Sequence, residues 1–182
     1  MSGDARARYP ALFEPMRSRW GEHDLRHVFE LGEPPPALVS NVRFIGFSGD
    51  QVLAIRTLEF DWSLMPGGTI EPGEAVEEAL ERELLEEAGA RQTSFQVFAG
   101  MHFWNAAPEP YRPHIPHPEF YWVVAYGDIE IIGEPTGSED GETILEVRLF
   151  TMDEADALFG SHAEAWQLDV LGLAAELRKP DR

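Results

Sequence analysis

Between Gly67 and Ala90 the chain reads GGTIEPGEAVEEALERELLEEAGA, and no other stretch constrains the fold as tightly. Pro66 keeps Met65 extended and opens a glycine-rich loop. A helix is expected from about Glu74 to Ala88, stopped by Gly89 as its C-cap. That helix is electrostatically inverted. Its C-terminus carries partial negative charge, so cations belong in the last turn, yet Glu83, Glu86 and Glu87 stand there with no lysine or arginine after them. A local rule broken without visible compensation points to a functional site, and the missing partner is a cation.

The spacing i, i+3, i+4 brings these three glutamates into one arc of the helix. Carboxylates so close are costly to ionise together, and a hard divalent cation such as magnesium, which takes oxygen ligands, relieves the cost. The helix alone equally fits a solvated acidic face with Glu78–Arg82 and Arg82–Glu86 pairs. The wider pattern decides between them: Gly68, five residues, Glu74, seven residues, then Arg82-Glu83-Leu84-Leu85-Glu86-Glu87-Ala88-Gly89-Ala90.

Composition narrows the partners. The net charge of −19 excludes a binder of polymeric nucleic acid, which needs a basic face. A small phosphorylated substrate stays compatible, because divalent cations bridge acidic groups to phosphate oxygens. The absence of cysteine removes disulfides, thiolate metal sites and cysteine nucleophiles. No run approaches the roughly 20 apolar residues of a membrane span, and the first residues lack the apolar centre of a signal peptide. A cytoplasmic protein without a membrane partner is expected.

Around the central stretch the chain reads as strands and a few helices. Residues 1–36, ending in the proline run of GEPPPA, look like an N-terminal extension: a dimer arm that would make the protein a homodimer, a lid, or a packing strap. The main domain then covers 37–182, 182 residues being enough for one domain with an appendage. LVSNVRFIGF and QVLAIRTLEF form a hairpin across Ser48-Gly49-Asp50. FQVFAGMHFW, EFYWVVAYGDIEII and TILEVRLF are further strands. Thr151 caps a short helix, and a last helix presents Trp166, Val170, Leu173 and Leu177 on one face. Strands interleaved with two or three helices give an α+β or α/β sandwich.

The spaced pattern from Gly68 to Ala90 resembles the signature of the Nudix hydrolase family in every fixed position; Ala90 is smaller than the usual aliphatic residue. The resemblance implies an α/β/α sandwich on a mixed sheet, and hydrolysis of a phosphoanhydride in a small nucleoside diphosphate derivative by water attack at phosphorus. It implies that Glu83, Glu86 and Glu87 ligate magnesium or manganese, with a carbonyl of Gly67 or Gly68 as a further ligand. Arg82 would orient the glutamates, and Glu74 would brace the loop to the helix, with Gly68 and Gly89 as structural positions. The base would be a box glutamate or a carboxylate of the later loop GSEDGETILE, among Glu139, Asp140, Glu142 and Glu146, with Glu142 preferred. The alternative is a non-catalytic Nudix-like nucleotide sensor; such modules lose a box glutamate, whereas all three stand here. A prenyl-diphosphate isomerase on the same scaffold would want a cysteine.

Candidates for reading the substrate are fewer in signal. Phe103, Trp104 and Tyr111 could stack on a base, each competing with ordinary core packing. Arg56 and Arg112 could meet phosphate, or Arg112 could simply solubilise its loop. His114 and His117, with two residues between them in a proline-rich loop, lack a third soft ligand. His102 matters only if it faces the pocket, and is otherwise a half-buried strand histidine.

Overall fold

A computed structural model describes residues 2–59, 61–137, 142–160 and 165–179, with side chains from Ala5 onward. The first helix, α1 (Ser2–Arg8), precedes two strands, β1 (Met16–Trp20) and β2 (His23–Leu31). Then come β3 (Val39–Ser48), β4 (Gln51–Thr57), β5 (Trp62–Ser63), α2 (Val76–Ala88), β6 (Ala90–Gln92), β7 (Gln96–Asn105), β8 (Glu119–Ile131), β9 (Ile144–Thr151), α3 (Met152–Phe159) and α4 (Trp166–Arg178). No helix among the described residues is long and apolar enough to cross a membrane.

The strands form one mixed sheet in the order β1-β2-β7-β8-β3-β4-β5, with β9 added beside β4 and β6 beside β8. β3 and β8 run parallel, and the other pairs are antiparallel. Both faces are covered, which the period-2 alternation of side chains explains. Val42 and Phe44 of β3, with Leu53 and Ile55 of β4, pack against Leu80 and Leu84 of α2. The intervening Ile45, Phe47, Val52 and Ala54 join Phe159 of α3 and Val170, Leu171 and Leu173 of α4 on the opposite side. The result is the α/β/α sandwich expected from the sequence.

The segment ahead of residue 37 is woven into this sheet. β2 pairs with β7 from Leu25↔Asn105 to Leu31↔Ala99, and β1 pairs with β2. A two-residue turn joins β1 to β2, Trp20 pairing with His23, with Gly21 at φ +59°, a left-handed conformation that favours glycine. Arg17, Arg19, Asp24 and Arg26 are exposed while Leu25, His27 and Phe29 are buried. Charge on alternate positions made a strand pair look like a mixed, irregular stretch.

The expected capping holds at α3: Glu154 N–H donates to Thr151 Oγ1 at 3.3 Å, and Thr151 N–H donates to the Glu154 carboxylate at 2.8 Å. In α4 the buried positions are Gln167, Val170, Leu171, Leu173 and Ala174, with Trp166 and Leu177 only partly covered.

Candidate active site

Arg82 organises the stretch from Gly68 to Ala90. Its Nε and Nη2 donate to the two oxygens of Glu74, each at 2.9 Å, and Nη1 donates to Glu83 Oε1 at 2.8 Å. Nη2 also reaches the Thr69 carbonyl at 3.0 Å, and Glu86 completes the set at 3.6 Å. Glu74 further accepts from the Glu71 N–H at 2.9 Å, so it clasps the loop to the helix. The Arg82 guanidinium holds the Glu74 carboxyl below its usual range. The i,i+4 pair of Arg82 with Glu86 is present, but the guanidinium fork is spent on Glu74 and Glu83.

The two remaining anchors lie at the start of the loop. Glu87 accepts from the Gly67 N–H at 2.8 Å, while the Gly67 carbonyl accepts from the Arg43 guanidinium. Gly68 lies so close to Glu83 that a Cβ there would stand 2.5 Å from the carboxyl carbon. Burial pushes the Glu87 carboxyl up to about 8, against the opposing pull of Arg43 and the Gly67 N–H. Burial also raises Glu83, with Arg82 pulling the other way.

Among the described residues no three acidic or histidine side chains form a ready-made cation cage. The donor set nevertheless fits a divalent cation. Glu83, Glu86 and Glu87 line one cavity of about 490 Å³ with Gly67 and Gly68, so three carboxylates, the ligands hard cations take, share a common space. Burial is what chiefly raises the Glu83 and Glu87 carboxyls, with neighbouring carboxylates adding a smaller push.

The inverted helix end is compensated in a way charge-counting misses. The carbonyl of Gly89 accepts from the N–H groups of Ile132 and Gly133 at 2.8 and 3.1 Å. Those of Leu85 and Glu86 accept from Thr136 and Gly137 at 3.2 and 3.0 Å. Gly89 itself, at φ +58°, closes the helix by donating to Leu85. Backbone donors after β8 therefore cap the exposed carbonyls, leaving the carboxylates to face the cavity.

A second cavity of about 820 Å³ adjoins the first. Asn41, Arg43, Thr69, Glu87, Arg112 and Glu142 line both. Beyond them the walls turn aromatic, with Trp20, Trp62, Phe103, Tyr111, Trp122 and Trp166. Tyr111 donates to Asn41 Oδ1 at 3.0 Å and meets Trp20 edge-on at 5.4 Å. Arg43 lies 4.7 Å from the centre of the Trp122 ring.

The structure thus brings Phe103, Tyr111, Arg112 and Glu142 to the cavities, and leaves Trp104 and Arg56 outside their linings. Trp104 alternates with Phe103 along β7 and packs against His102, ring centres 3.8 Å apart, with Arg26 over its face. Arg56 pairs across the sheet with Glu146 at 3.3 Å, and Glu146 likewise lines neither cavity. Glu139 and Asp140 lie outside the described residues. His102 is held by Glu30, Glu119 and Tyr121 and lines neither cavity, a satisfied strand histidine. His114 and His117 are exposed. Arg43, Trp20, Trp62, Trp122 and Trp166 were not anticipated; an arginine inside the apolar strand VRFIGF was the one available signal.

A family model described as NUDIX domain matches residues 37–169. The chain belongs to the Nudix hydrolase family. Among solved structures, the Nudix fold here is similar to a NUDIX hydrolase from Nitrosomonas europaea, at TM-score 0.55 and 20% identity over 78% of this chain and 93% of that one. It is also similar to a pyrophosphohydrolase from Bacillus subtilis, at 0.50 and 19% over 74% and 77%. An ADP compounds hydrolase matches at 0.50 and 17% over 92% and 98%. At these identities the likeness speaks for the fold. No curated protein sequence matches the chain. The Nudix box, Gly68 to Ala90, lies inside the matched region, whereas β1 and β2 precede it.

Proposed function

We propose that this Nudix hydrolase cleaves the phosphoanhydride bond of a small nucleoside diphosphate derivative, such as a nucleoside di- or triphosphate or ADP-ribose, by attack of water at phosphorus. Glu83, Glu86 and Glu87, with a carbonyl of Gly67 or Gly68, would hold magnesium or manganese. The observation that carries this reading is the junction of an acidic cavity with an aromatic one, where Arg43 and Arg112 stand together with Glu87 and Glu142.

Each end of such a substrate finds its chemistry there. When bound, the cation neutralises the diphosphate and acidifies a water. Arg112 is exposed and makes no ion pair among the described residues, so its guanidinium is available to a phosphate oxygen. Arg43 brings a second guanidinium from the strand beneath. Glu142, on the lining of both cavities, is the carboxylate proposed to take the proton from the attacking water. Arg82 keeps Glu83 oriented while Glu74 fixes the loop that carries Gly67 and Gly68.

The test is a panel of nucleoside di- and triphosphates, ADP-ribose, dinucleotides, coenzyme A and nucleotide sugars, assayed for phosphate or nucleotide release with magnesium, manganese or chelator. Turnover should require a cation and fall steeply in Glu86→Gln and Glu87→Gln. Nucleotide binding without turnover under either cation would favour the sensor instead. Full activity in both variants would remove the metal assignment.

A further inference from the structure

The loop that opens the box lies along the first residues of β3 like a short extra strand. Val42 N–H donates to the Gly68 carbonyl at 3.0 Å, and Ile70 N–H donates to the Ser40 carbonyl at 2.9 Å. These bonds bracket an isolated antiparallel bridge between Asn41 and Thr69. Residues facing each other between such bonds are a non-hydrogen-bonded pair, the kind that brings side chains closest. Asn41 Nδ2 accordingly donates to Thr69 Oγ1 at 3.2 Å. The Thr69 carbonyl accepts from Arg82 at 3.0 Å, so this residue is fixed between the strand and the box helix.

The other end of the Asn41 amide is taken by hydroxyls. Its Oδ1 accepts from Tyr111 at 3.0 Å and from Ser40 at 2.8 Å. Asn41 is only 4% exposed, which shelters these bonds from competing water. Burial raises the Tyr111 hydroxyl above its usual range, so it keeps the proton it donates. The chain therefore has a direction. Tyr111 donates to Asn41, Asn41 donates to Thr69, and the Thr69 hydroxyl, having accepted, still holds its own proton. Among the described residues that proton has no acceptor. Thr69 is partly exposed and lines both cavities, at their junction. Donors in series polarise one another, which makes the last of them stronger than a lone threonine. A nonbridging phosphate oxygen suits it: an acceptor that donates nothing, and whose charge strengthens the bond.

We propose that Thr69 is a substrate-binding residue whose hydroxyl donates to a nonbridging oxygen of the diphosphate, with Asn41 and Tyr111 as the positioning residues that aim it. This rests on the reading of the site as a diphosphate hydrolase. Tyr111 then acts through its hydroxyl rather than by covering a base. The proline-rich loop that carries Tyr111 and Arg112 is thereby tied to the box loop where the two cavities meet.

The experiment uses the full chain with Thr69→Val, which keeps the shape, Thr69→Ser, which keeps the hydroxyl, and Tyr111→Phe, which keeps the ring. Protein in magnesium is titrated calorimetrically with imidodiphosphate, whose bridging nitrogen resists hydrolysis, and magnesium alone is titrated in parallel. Thr69→Val should weaken imidodiphosphate binding roughly tenfold, and Thr69→Ser should stay within about threefold of the wild type. Tyr111→Phe should weaken it about threefold, with no further loss when added to Thr69→Val. Magnesium affinity without imidodiphosphate should be unchanged throughout, which separates a lost donor from a disturbed box. No imidodiphosphate binding to the wild type, or equal affinity in Thr69→Val, would overturn the proposal. So would a loss in Thr69→Ser as large as in Thr69→Val, additive losses in the double variant, or altered magnesium affinity in Thr69→Val. Imidodiphosphate is not turned over, so this arm is independent of hydrolysis. Hydroxyl-dependent binding with no hydrolysis of any diphosphate would keep the donor and remove the hydrolase reading. Cation-dependent hydrolysis with unaltered imidodiphosphate binding in Thr69→Val would do the reverse.

Discussion

The guanidinium of Arg82 holds the carboxylate of Glu74 through two parallel hydrogen bonds of 2.9 Å, across eight residues of chain. A bidentate pair of this kind depends on the planar fork, which lysine lacks. Glu74→Gln and Arg82→Lys should each cost about 1–3 kcal/mol in urea unfolding. Because Arg82 also holds Glu83, Arg82→Lys should additionally weaken cation binding by roughly 10–100-fold in a calorimetric titration. A stability loss with unchanged cation affinity would confine Arg82 to the scaffold.

The two box glycines should fail in different ways. The atoms nearest a Cβ at Gly68 are the carboxylate end of Glu83, a side-chain terminus rather than backbone. Gly68→Ala should therefore lower cation affinity and turnover while moving the melting temperature little. Gly89 sits at φ +58°, and a Cβ there would press on the backbone of Gly133 and Glu134. Gly89→Ala should cost more than about 1 kcal/mol in stability, since strain and contact add. Equal melting temperatures for the two variants would contradict the distinction.

Glu87 gives the cation-free protein a defined pH response. Its carboxyl is raised from 4.5 to about 8 by burial, so between those values the folded state retains a proton that the unfolded state releases. The stabilising contribution is complete below the lower value and is lost as pH rises through the upper one, at most about 1.4 kcal/mol per pH unit. Above pH 7, His27 is neutral in the folded state and mostly so in the unfolded, leaving Glu87 in control. Melting temperature in chelator should fall from pH 7 to pH 9, and magnesium should offset the fall. Glu87→Gln should flatten the chelator curve.

Arg43 joins the two cavities, with its guanidinium on the Gly67 carbonyl and over the Trp122 ring. Arg43→Lys keeps the charge and loses both contacts in their present form. Steady-state kinetics should show KM for the nucleotide substrate rising roughly tenfold. Glu142→Gln should leave KM near its original value and lower kcat by about 10²–10⁴, the range for removal of a general base. If Glu142→Gln kept full kcat, the base would have to be one of the box glutamates.

The sequence disclosed the box almost completely, since its residues are tied by fixed helical spacing and short-range loops. Strand parity was less accessible. In HFW at 102–104 every residue is large and none marks the inward face, so Trp104 was as good a candidate as Phe103 until the pairing with β2 and β8 set the register. Arg56 lost its role to a cross-strand partner, Glu146, far away in the chain. Trp62 and Trp166 reach the cavity from β5 and the start of α4, elements that only the assembled sheet brings together. The β1–β2 pair was hidden because its outward positions are charged and its inward ones include a serine and a histidine, which read as polar.

The backbone donors of Ile132, Gly133, Thr136 and Gly137 that close the end of α2 belong to the same connection that leads on to Glu142. Any engineering of substrate preference by exchanging this loop with that of a relative would transplant the helix terminator along with the proposed base. A chimera should therefore take residues 131–144 together with the final turn of α2 as one cassette, because a graft that separates them leaves carbonyls bare beside the glutamates that most need a quiet neighbourhood.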